Sequence, residues 1–325
     1  MNIYDIAKNC GVSTATVSRA INSPEKVKEG TRKKIYDYMS KHNYKLNPLA
    51  QKLAGNGSLG LIGIVCADIS DIYFSQAVAF LQEKLSMQGY EILITSSGYS
   101  MEQRETAIRN CFSRHVDAIV LIGSIFIESN TDFFNEIAKD IPLFFINGRL
   151  DTPNTYCVLC NDSESMYLAT KDIEEKNVVY LYDSETYSSL MKLNGLKKAF
   201  SERGKAFSTK ILKLNDLSLM ELTSACVDLL KDQQFDCILT SSDNLAVAAL
   251  KASQEIGLSI PSQIKILGYN NSILSKCTTP ALSSINSQVD LLAQKTYDNI
   301  ISFFNGETPP TLQFVEGTLV RRETF

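Results

Sequence analysis

Eight apolar runs constrain the fold of this 325-residue chain more than any other feature of the sequence. In chain order, the runs are LGLIGIVCA, YEILITS, DAIVLIG, LFFIN, VVYLYD, KILKL, DCILTS and KILGY. Their apolar character is continuous rather than alternating, which is typical of parallel strands buried on both faces. Segments with helical periodicity separate the runs and indicate an α/β fold whose helices cover the sheets. So many strands over roughly 260 residues predict two sheets in two lobes.

The order of these runs also predicts where the chain passes between the lobes. We expect one lobe to comprise residues 58–160 and 288–316, and the other residues 161–287 and 317–325. Ligands of parallel sheets bind at the carboxyl ends of the strands, and two facing lobes form a cleft there. The body of the chain is therefore expected to bind a small molecule.

The N-terminal segment differs from this body in charge. Residues 1–57 hold ten Lys or Arg and four Asp or Glu, although the whole chain has a net charge of -4. A basic head on an acidic body indicates a polyanionic partner at one end of the molecule. A solvated basic surface would be the alternative if charge were the only signal.

Within residues 1–46, the pattern predicts three short helices. The first ends near Cys10, where Gly11 supplies the left-handed residue of a sharp turn. The second runs from Thr14 to Ile21 with Ser13 as its cap, and the third begins near Thr31. Two helices joined by a turn of about three residues and supported by a third form a helix-turn-helix. A helical hairpin with a purely structural role is the alternative.

The second helix, in GVSTATVSRAIN at 11–22, carries residue types that suit DNA contact. Hydroxyls and a helix N-terminus bind phosphate, alanine contacts a thymine methyl, and arginine reaches a guanine edge or a phosphate. We expect Thr14 and Ala15 to select bases. The candidate DNA contacts in this region are Ser13, Thr14, Ala15, Thr16, Ser18, Arg19 and Asn22.

Here the sequence resembles the lac repressor and galactose repressor family of bacterial transcription regulators. The resemblance lies in IYDIAKNCGVSTATVSRAIN at 3–22 and TRKKIYDYMSKHNYKLNPLAQKL at 31–53, and its most specific part is the V-S-x-A-T-V-S-R string at 12–19. It implies that the second helix enters the major groove. It also implies that the body is a periplasmic-binding-protein-like effector domain.

Residues 47–57 form a predicted hinge helix and linker. Asn47 is a cap, Pro48 takes the first helical position and Gly55 ends the helix. A helix of about seven residues is too short to be stable alone. The resemblance implies that dimerisation and operator DNA order it and that Leu53 enters the minor groove as a wedge. The candidate DNA contacts here are Asn47, Ala50, Lys52 and Leu53.

Candidate effector contacts follow the predicted strands. The resemblance implies ligand contacts for Asp71, Tyr73 and Phe74, for Arg149, and for Asp243. Lys192 matches a position where the family often has arginine, Asn270 one where it usually has aspartate, and Asn161 with Asp162 stand where it reads Asp-Asn. The alternatives are solvated loops or salt bridges between lobes for the charged residues, and core positions for the aromatic ones.

Other features exclude several classes of protein. The sequence has no secretion signal and no membrane-spanning run, so we expect a cytoplasmic protein. We expect no metal, because the cysteine pair in YCVLCN lies in a predicted strand with no second pair. We also expect no cofactor and no catalysis, because no catalytic motif occurs. GNGSLG at 55–60 matches a dinucleotide fingerprint, but here a helix precedes it and a strand follows, so we interpret it as a linker.

These observations predict a homodimeric transcription regulator, a repressor that binds a pseudo-palindromic operator. A small sugar-like metabolite between the two lobes is expected to control it. Two rivals remain at this point. A sugar-binding protein of the transport type would share the body alone, and a nucleotide-dependent enzyme would use GNGSLG.

Overall fold

The computed structural model describes residues 3–22, 24–42, 60–124, 131–182, 185–211 and 218–325. The chain forms two compact units, Met1–Leu61 with His115–Asp117, and Ile62–Arg114 with Ala118–Phe325. The predicted hinge helix, with Asn47, Ala50, Lys52 and Leu53, lies outside the described residues.

The first unit contains a helix-turn-helix with a third supporting helix. Its helices are α1 (Ile3–Cys10), α2 (Thr14–Asn22) and α3 (Glu29–Lys41), with a 3-10 turn at Pro24–Lys26. The buried apolar residues come from all three helices: Ile6, Ala7, Cys10, Val17, Ala20, Ile35 and Met39. Gly11 has a φ of +63°, the left-handed conformation predicted for the sharp turn. The third helix begins at Glu29 rather than near Thr31, and its first turn includes this acidic side chain, which the helix dipole favours.

The second unit alternates strands and helices, as the apolar runs predict. In chain order its elements are β1 (Leu61–Cys66), α4 (Ile72–Met87), β2 (Glu91–Ser96), α5 (Met101–Ser113), β3 (Ala118–Ile122), α6 (Thr131–Ala138), β4 (Leu143–Ile146), β5 (Thr155–Cys160), α7 (Asp162–Thr170), β6 (Val178–Tyr182), α8 (Tyr187–Ser201), β7 (Ser208–Ile211), α9 (Leu219–Asp232), β8 (Cys237–Thr240), α10 (Asp243–Glu255), β9 (Lys265–Tyr269), α11 (Ile273–Cys277), β10 (Ser283–Asn286), α12 (Val289–Phe304), β11 (Leu312–Val315) and β12 (Thr318–Val320).

Two six-stranded sheets organise these elements into two lobes. The order in the first sheet is β11-β5-β4-β3-β1-β2, and in the second it is β12-β10-β9-β8-β6-β7. The β1-β3, β3-β4, β4-β5 and β5-β11 pairs of the first sheet are parallel, as are the β6-β7, β6-β8, β8-β9 and β9-β10 pairs of the second. The short strand β12 joins β10 in antiparallel orientation.

The chain passes between the sheets at three places. Strand β5 ends at Cys160 in the first sheet, and the next strand, β6, belongs to the second. After β10, helix α12 returns to the first lobe, where its Val289 and Leu292 join the hydrophobic core. The third passage lies between β11 and β12. There the Gly317 N–H donates to Ser165 Oγ at 2.8 Å.

Four strands, β5, β10, β11 and β12, have no counterpart among the eight apolar runs, and β5 corresponds to the separately predicted strand in YCVLCN. Cys157 and Cys160 both lie in β5, which confirms that YCVLCN forms a strand. Both thiols are buried.

Across the described ranges, none of the helices combines the length and the apolar content that a bilayer crossing requires.

Candidate functional site

A cavity of about 540 Å³ opens between the two sheets at the carboxyl ends of their strands. Small-molecule sites typically have volumes of about 300–1,000 Å³. The first lobe lines the cavity with Asp68, Ser70, Asp71, Ile72, Tyr73, Phe74, Tyr99, Gly123, Ser124 and Asn147. The second lobe lines it with Thr186, Ser188, Ser189, Lys192, Leu219, Leu222, Ser241, Ser242, Asn244, Val247, Asn270 and Leu274. We call this cavity the cleft.

The loop after β1 brings Asp71 and Tyr73 to the cleft. Asp71 is the N-cap of α4, and its Oδ1 accepts a hydrogen bond from the Tyr73 N–H at 2.8 Å. Its Oδ2 accepts a second hydrogen bond at 3.1 Å from Asn244 Nδ2, which belongs to the opposite lobe. This bond therefore links the two walls of the cleft.

The Tyr73 hydroxyl lies deeper in the cleft. It is buried and donates a hydrogen bond to none of the described residues, while the Asn147 amide acts as a donor toward it. Burial, followed by the nearby Asp162, raises the pKa of Tyr73 well above its ordinary value. The group is therefore a protonated donor at neutral pH, which a ligand acceptor would satisfy. The Tyr73 ring meets the Phe74 ring edge to face at 5.6 Å between centroids.

The floor of the cleft contains a buried charged network. The Lys192 side chain, 6% exposed, donates from Nζ to the Ser241 carbonyl at 2.9 Å. The same Nζ lies 3.9 Å from the centroid of the Tyr269 ring, a cation–π contact. The Tyr269 hydroxyl donates to Asp162 Oδ1 at 2.7 Å, and Ser188 Oγ donates to Asp162 Oδ2 at 2.5 Å. Asp162 does not itself line the cleft, but it orders residues that do.

Asn147 also reaches the cleft, directly after β4. Its φ is +56°, in the left-handed region that asparagine tolerates better than most residues. Its Oδ1 accepts a hydrogen bond from the Cys160 N–H at 2.9 Å. Since the carbonyl end of the amide is occupied, the Nδ2 donors remain available to a ligand.

Asp243 occupies a different position from the predicted one. It is only 2% exposed and does not line the cleft. Its Oδ2 accepts from both the N–H and the hydroxyl of Ser272, at 2.6 and 2.8 Å, and its Oδ1 accepts from Ser284 Oγ at 2.6 Å. Desolvation raises the pKa of this carboxyl above 3.8, and the hydrogen bonds from Ser284 and Ser272 oppose the shift. Asp243 therefore stabilises the loop after β9, while Asn270 on that loop lines the cleft.

Arg149 and Asn161 also lie outside the lining of the cleft. The backbone has a positive φ at Asn147, and Arg149 follows two residues later. Burial raises the pKa of the Cys157 thiol to about 11, and the positive charge of Arg149 opposes this rise. Asn161 is the N-cap of α7, and its Nδ2 donates to Glu316 Oε1 at 2.9 Å. The predicted contacts that do line the cleft are Asp71, Tyr73, Phe74, Lys192 and Asn270.

In the N-terminal helix-turn-helix, α2 exposes a small polar face. Ser13 Oγ accepts from the Thr16 N–H at 3.1 Å, so Ser13 caps the helix. Ala15 and Arg19 are exposed, and Thr14, Thr16 and Ser18 are half-buried. The core residues Val17 and Ala20 hold the opposite face, and Tyr36 on α3 donates its hydroxyl to the Ala20 carbonyl at 3.0 Å. Asn22 is the last residue of α2, and its side chain is outside the described set.

Comparison with known proteins agrees with both units. Residues 2–47 match the family described as "Bacterial regulatory proteins, lacI family", and residues 176–325 match the "Periplasmic binding protein-like domain". An HTH-type transcriptional regulator of Lachnoclostridium phytofermentans is 34% identical over 331 residues, which cover 100% of this chain and 99% of the relative. The chain belongs to the lacI family.

Other relatives of this lacI-family regulator are more distant. The HTH-type transcriptional regulator AscG of Escherichia coli is 25% identical over 99% of the chain and 98% of AscG. Catabolite control protein A of Staphylococcus xylosus is 27% identical over 88% of the chain and 87% of that protein. The relatives are transcription regulators, and a DNA-binding regulatory function follows for this chain.

Solved structures of lacI-type proteins share the fold. A lac repressor dimer bound to operator and the anti-inducer ONPF has a TM-score of 0.85 at 24% identity, covering 100% of this chain and 98% of the repressor. The regulator CelR in complex with cellobiose has a TM-score of 0.70 at 19% identity, with 100% of both chains covered. At these identities the similarity establishes the two-lobed fold.

Proposed function

We propose that this lacI-family regulator is a repressor that binds a pseudo-palindromic operator as a homodimer and is controlled by a small sugar-like metabolite in the cleft. The observation that carries the proposal is a polar cleft of about 540 Å³ between two lobes, in a chain that begins with a helix-turn-helix. The cellobiose in CelR and the operator and anti-inducer in the lac repressor complex support the same arrangement.

The effector contacts in this proposal are the predicted residues that line the cleft: Asp71, Tyr73, Phe74, Lys192 and Asn270. Asp71 accepts hydrogen bonds, Lys192 and Tyr73 donate them, and Phe74 supplies an apolar surface. Hydroxyl-rich ligands need donors and acceptors together. In this proposal the cleft binds its ligand without transforming it, and the protein acts in the cytoplasm, where the DNA is.

DNA recognition in this proposal uses the exposed face of α2. The exposed Ala15 and Arg19, with Thr14 beside them, enter the major groove, and Ser13, Thr16, Ser18 and Asn22 contribute phosphate contacts. Asn47, Ala50 and Lys52 belong to the hinge, and Leu53 enters the minor groove.

In this proposal, the coupling between the cleft and the operator follows from the predicted length of the hinge helix. Because a helix of about seven residues is unstable alone, it persists only while its copy in the second protomer and DNA hold it. A ligand that changes the relative position of the lobes changes the separation of the two hinges. A coupling of about 1–3 kcal/mol, typical of allosteric proteins, would alter operator affinity by roughly 5- to 150-fold.

The test combines operator selection with a ligand screen. Bound sequences are selected from random DNA, and the affinity for the selected duplex is measured by fluorescence anisotropy at defined salt concentrations. We expect a palindromic logo, a dimer bound to each duplex, and at least one sugar or sugar derivative that changes the Kd. Absence of sequence preference at low salt would contradict the proposal.

A further inference from the structure

The floor of the cleft presents three hydrogen-bond donors close together: the Tyr73 hydroxyl, Asn147 Nδ2 and Lys192 Nζ. All three side chains line the cleft, Tyr73 and Asn147 from the first lobe and Lys192 from the second. Lys192 Nζ lies 3.9 Å from the centroid of the Tyr269 ring, and the Tyr269 hydroxyl lies 3.8 Å from the sulfur of Cys160, whose N–H donates to Asn147 Oδ1. The three donors therefore surround one region of the floor, and we call them the donor triad.

Each member of the triad has donor capacity to spare. The Tyr73 hydroxyl is buried and donates to none of the described residues. Asn147 is 8% exposed and uses its carbonyl oxygen internally, which leaves its amine end. Lys192 donates one hydrogen bond, to the Ser241 carbonyl, and an ammonium has three donors. A ligand that satisfies the triad must bring acceptors.

The charge of Lys192 points to the class of acceptor. Among the described residues, no carboxylate oxygen lies within 4.0 Å of its Nζ, although the side chain is 6% exposed. A buried ammonium without a close anion carries a desolvation penalty that an anionic partner offsets. The N-terminus of α8 lies in the same wall. Thr186 and Ser188 donate their hydroxyl protons to Ser189 and Asp162, so this end of the helix contributes the Ser189 hydroxyl and a dipole that favours negative charge.

The nearby acids do not supply that anion directly. Both oxygens of Asp162 accept hydrogen bonds, from Tyr269 and from Ser188, and the ring of the same Tyr269 contacts Lys192 Nζ. Asp71 lies at the half-exposed rim, where its two oxygens accept from Tyr73 N–H and Asn244. Asp68 there accepts from Ser70. Solvent and salt screen the rim acids more strongly than the buried floor.

We propose that the donor triad binds an oxyanion of the effector, a carboxylate or a phosphate, so that the effector is an acidic sugar derivative rather than a neutral sugar. This inference rests on the proposed function of the cleft and specifies its ligand. The oxyanion contacts Lys192 directly and accepts from Tyr73 and Asn147. The sugar hydroxyls extend toward the rim.

The first experiment uses the simple oxyanions phosphate and acetate as probes of the full-length protein. Melting temperatures are measured at constant ionic strength, adjusted with sodium chloride. An oxyanion that binds with a Kd of about 10 mM and is present at about 100 mM raises the Tm by roughly 3–6 °C. Lys192→Met is expected to abolish the rise, and Lys192→Arg to retain it. Lys197→Met is the matched control, because Lys197 is an exposed lysine on the same helix.

The second experiment compares sugars with their acids: glucose with glucuronate and glucose 6-phosphate, and galactose with galacturonate. By calorimetry, we expect an acid to bind, and Lys192→Met and Tyr73→Phe each to weaken it by about 10- to 100-fold. Stronger uronate binding assigns the oxyanion as a carboxylate, and stronger sugar phosphate binding assigns it as a phosphate.

Two results would overturn the inference. One is the absence of any stabilisation by phosphate, acetate or the sugar acids that depends on Lys192. The other is a neutral sugar that binds wild type and Lys192→Met equally well, which would still support a sugar-controlled cleft. DNA binding by the ligand-free protein is measured separately. A failure of the proposed regulatory function can therefore be distinguished from a failure of the proposed oxyanion site.

Discussion

Gly195 lies in the interior of α8, where this helix packs against the start of α7. A Cβ at this position would lie 2.1 Å from the Ser163 carbonyl oxygen and 3.1 Å from the Tyr167 nitrogen. Ordinary contacts of a Cβ begin near 3.4 Å, so Gly195→Ala forces the backbones of the two helices apart by roughly 1 Å. The obstacle is backbone, which cannot move aside as a flexible side chain can.

Two effects of opposite sign compete in this variant. Alanine is favoured over glycine in a helix interior by about 1 kcal/mol. Forcing extra volume into a packed interior costs about 1–3 kcal/mol, and backbone overlap falls at the upper end of that range. The packing effect therefore wins, and we expect a net destabilisation of about 1–2 kcal/mol. In a domain of this size the Tm then falls by roughly 2–8 °C.

The same displacement reaches the cleft. Ser188 and Lys192 are on the α8 side of the separated pair, and Asp162 is on the α7 side. The Ser188 to Asp162 hydrogen bond, at 2.5 Å, is expected to lengthen or break. Gly195→Ala should thus weaken ligand binding as well as stability.

Thermal and urea unfolding of wild type and Gly195→Ala measure the net effect. Asn194→Ala is the matched control, because this neighbouring residue of the same helix is exposed and the substitution favours the helix slightly. A Gly195→Ala protein as stable as wild type, or more stable, would refute the close packing of α7 and α8 on which the reasoning depends.

Three further predictions concern single side chains. Asp243→Ala removes the acceptor of Ser272 and Ser284 and should cost at least about 2 kcal/mol in urea unfolding. Because folding raises the pKa of Asp243, the folded state binds the carboxyl proton more tightly than the unfolded state does. The stability advantage of wild type over Asp243→Ala should therefore widen as the pH falls through the raised pKa toward 3.8. A stability difference that does not change with pH would contradict this prediction. Thr14→Ala should change the preferred half-site bases, and an unchanged logo from selected sequences would argue against base contact. Leu53→Ala should weaken operator binding far more than non-specific binding, and equal losses in a gel-shift comparison would exclude the wedge.

Much of the fold could be predicted from local sequence. Long apolar runs identify strands because a strand buried on both faces has no polar positions to interrupt it. The head was predictable for a related reason, since Val17 and Ala20 face a small core at helical spacing. The predicted start of α3 was two residues late, because Lys28 caps the helix without a side-chain hydrogen bond and so leaves no signal.

The location of the cleft could be predicted from the sequence, but the individual residues that line it could not all be identified. Strand ends identified the loops that line it, since parallel strands end at one edge of a sheet. Within a loop, however, the backbone decides which side chain reaches the cavity. Asn147, which has a positive φ, lines the cleft, whereas Arg149, two residues later, does not. Ser188, Ser241 and Asn244 were missed because small polar residues in a loop carry no signal that distinguishes ligand contact from solvation.

Strand β10 is an element that no local sequence pattern could predict. Ser283 and Ser284 are fully buried, although their sequence is polar. The Ser283 N–H donates to Thr324 Oγ1 at 2.9 Å, and Ser283 Oγ accepts from the Arg322 N–H at 2.8 Å. Ser284 Oγ donates to Asp243 at 2.6 Å and accepts from the Asn271 N–H at 2.9 Å. Buried polar groups are tolerated only when they are paired, and the partners of these two serines lie up to 41 residues away in the sequence. The burial of this strand therefore depends on distant residues rather than on its own sequence. The same partners tie the C-terminal segment to the loop of Asn270, so the shape of the cleft depends on residues that do not line it.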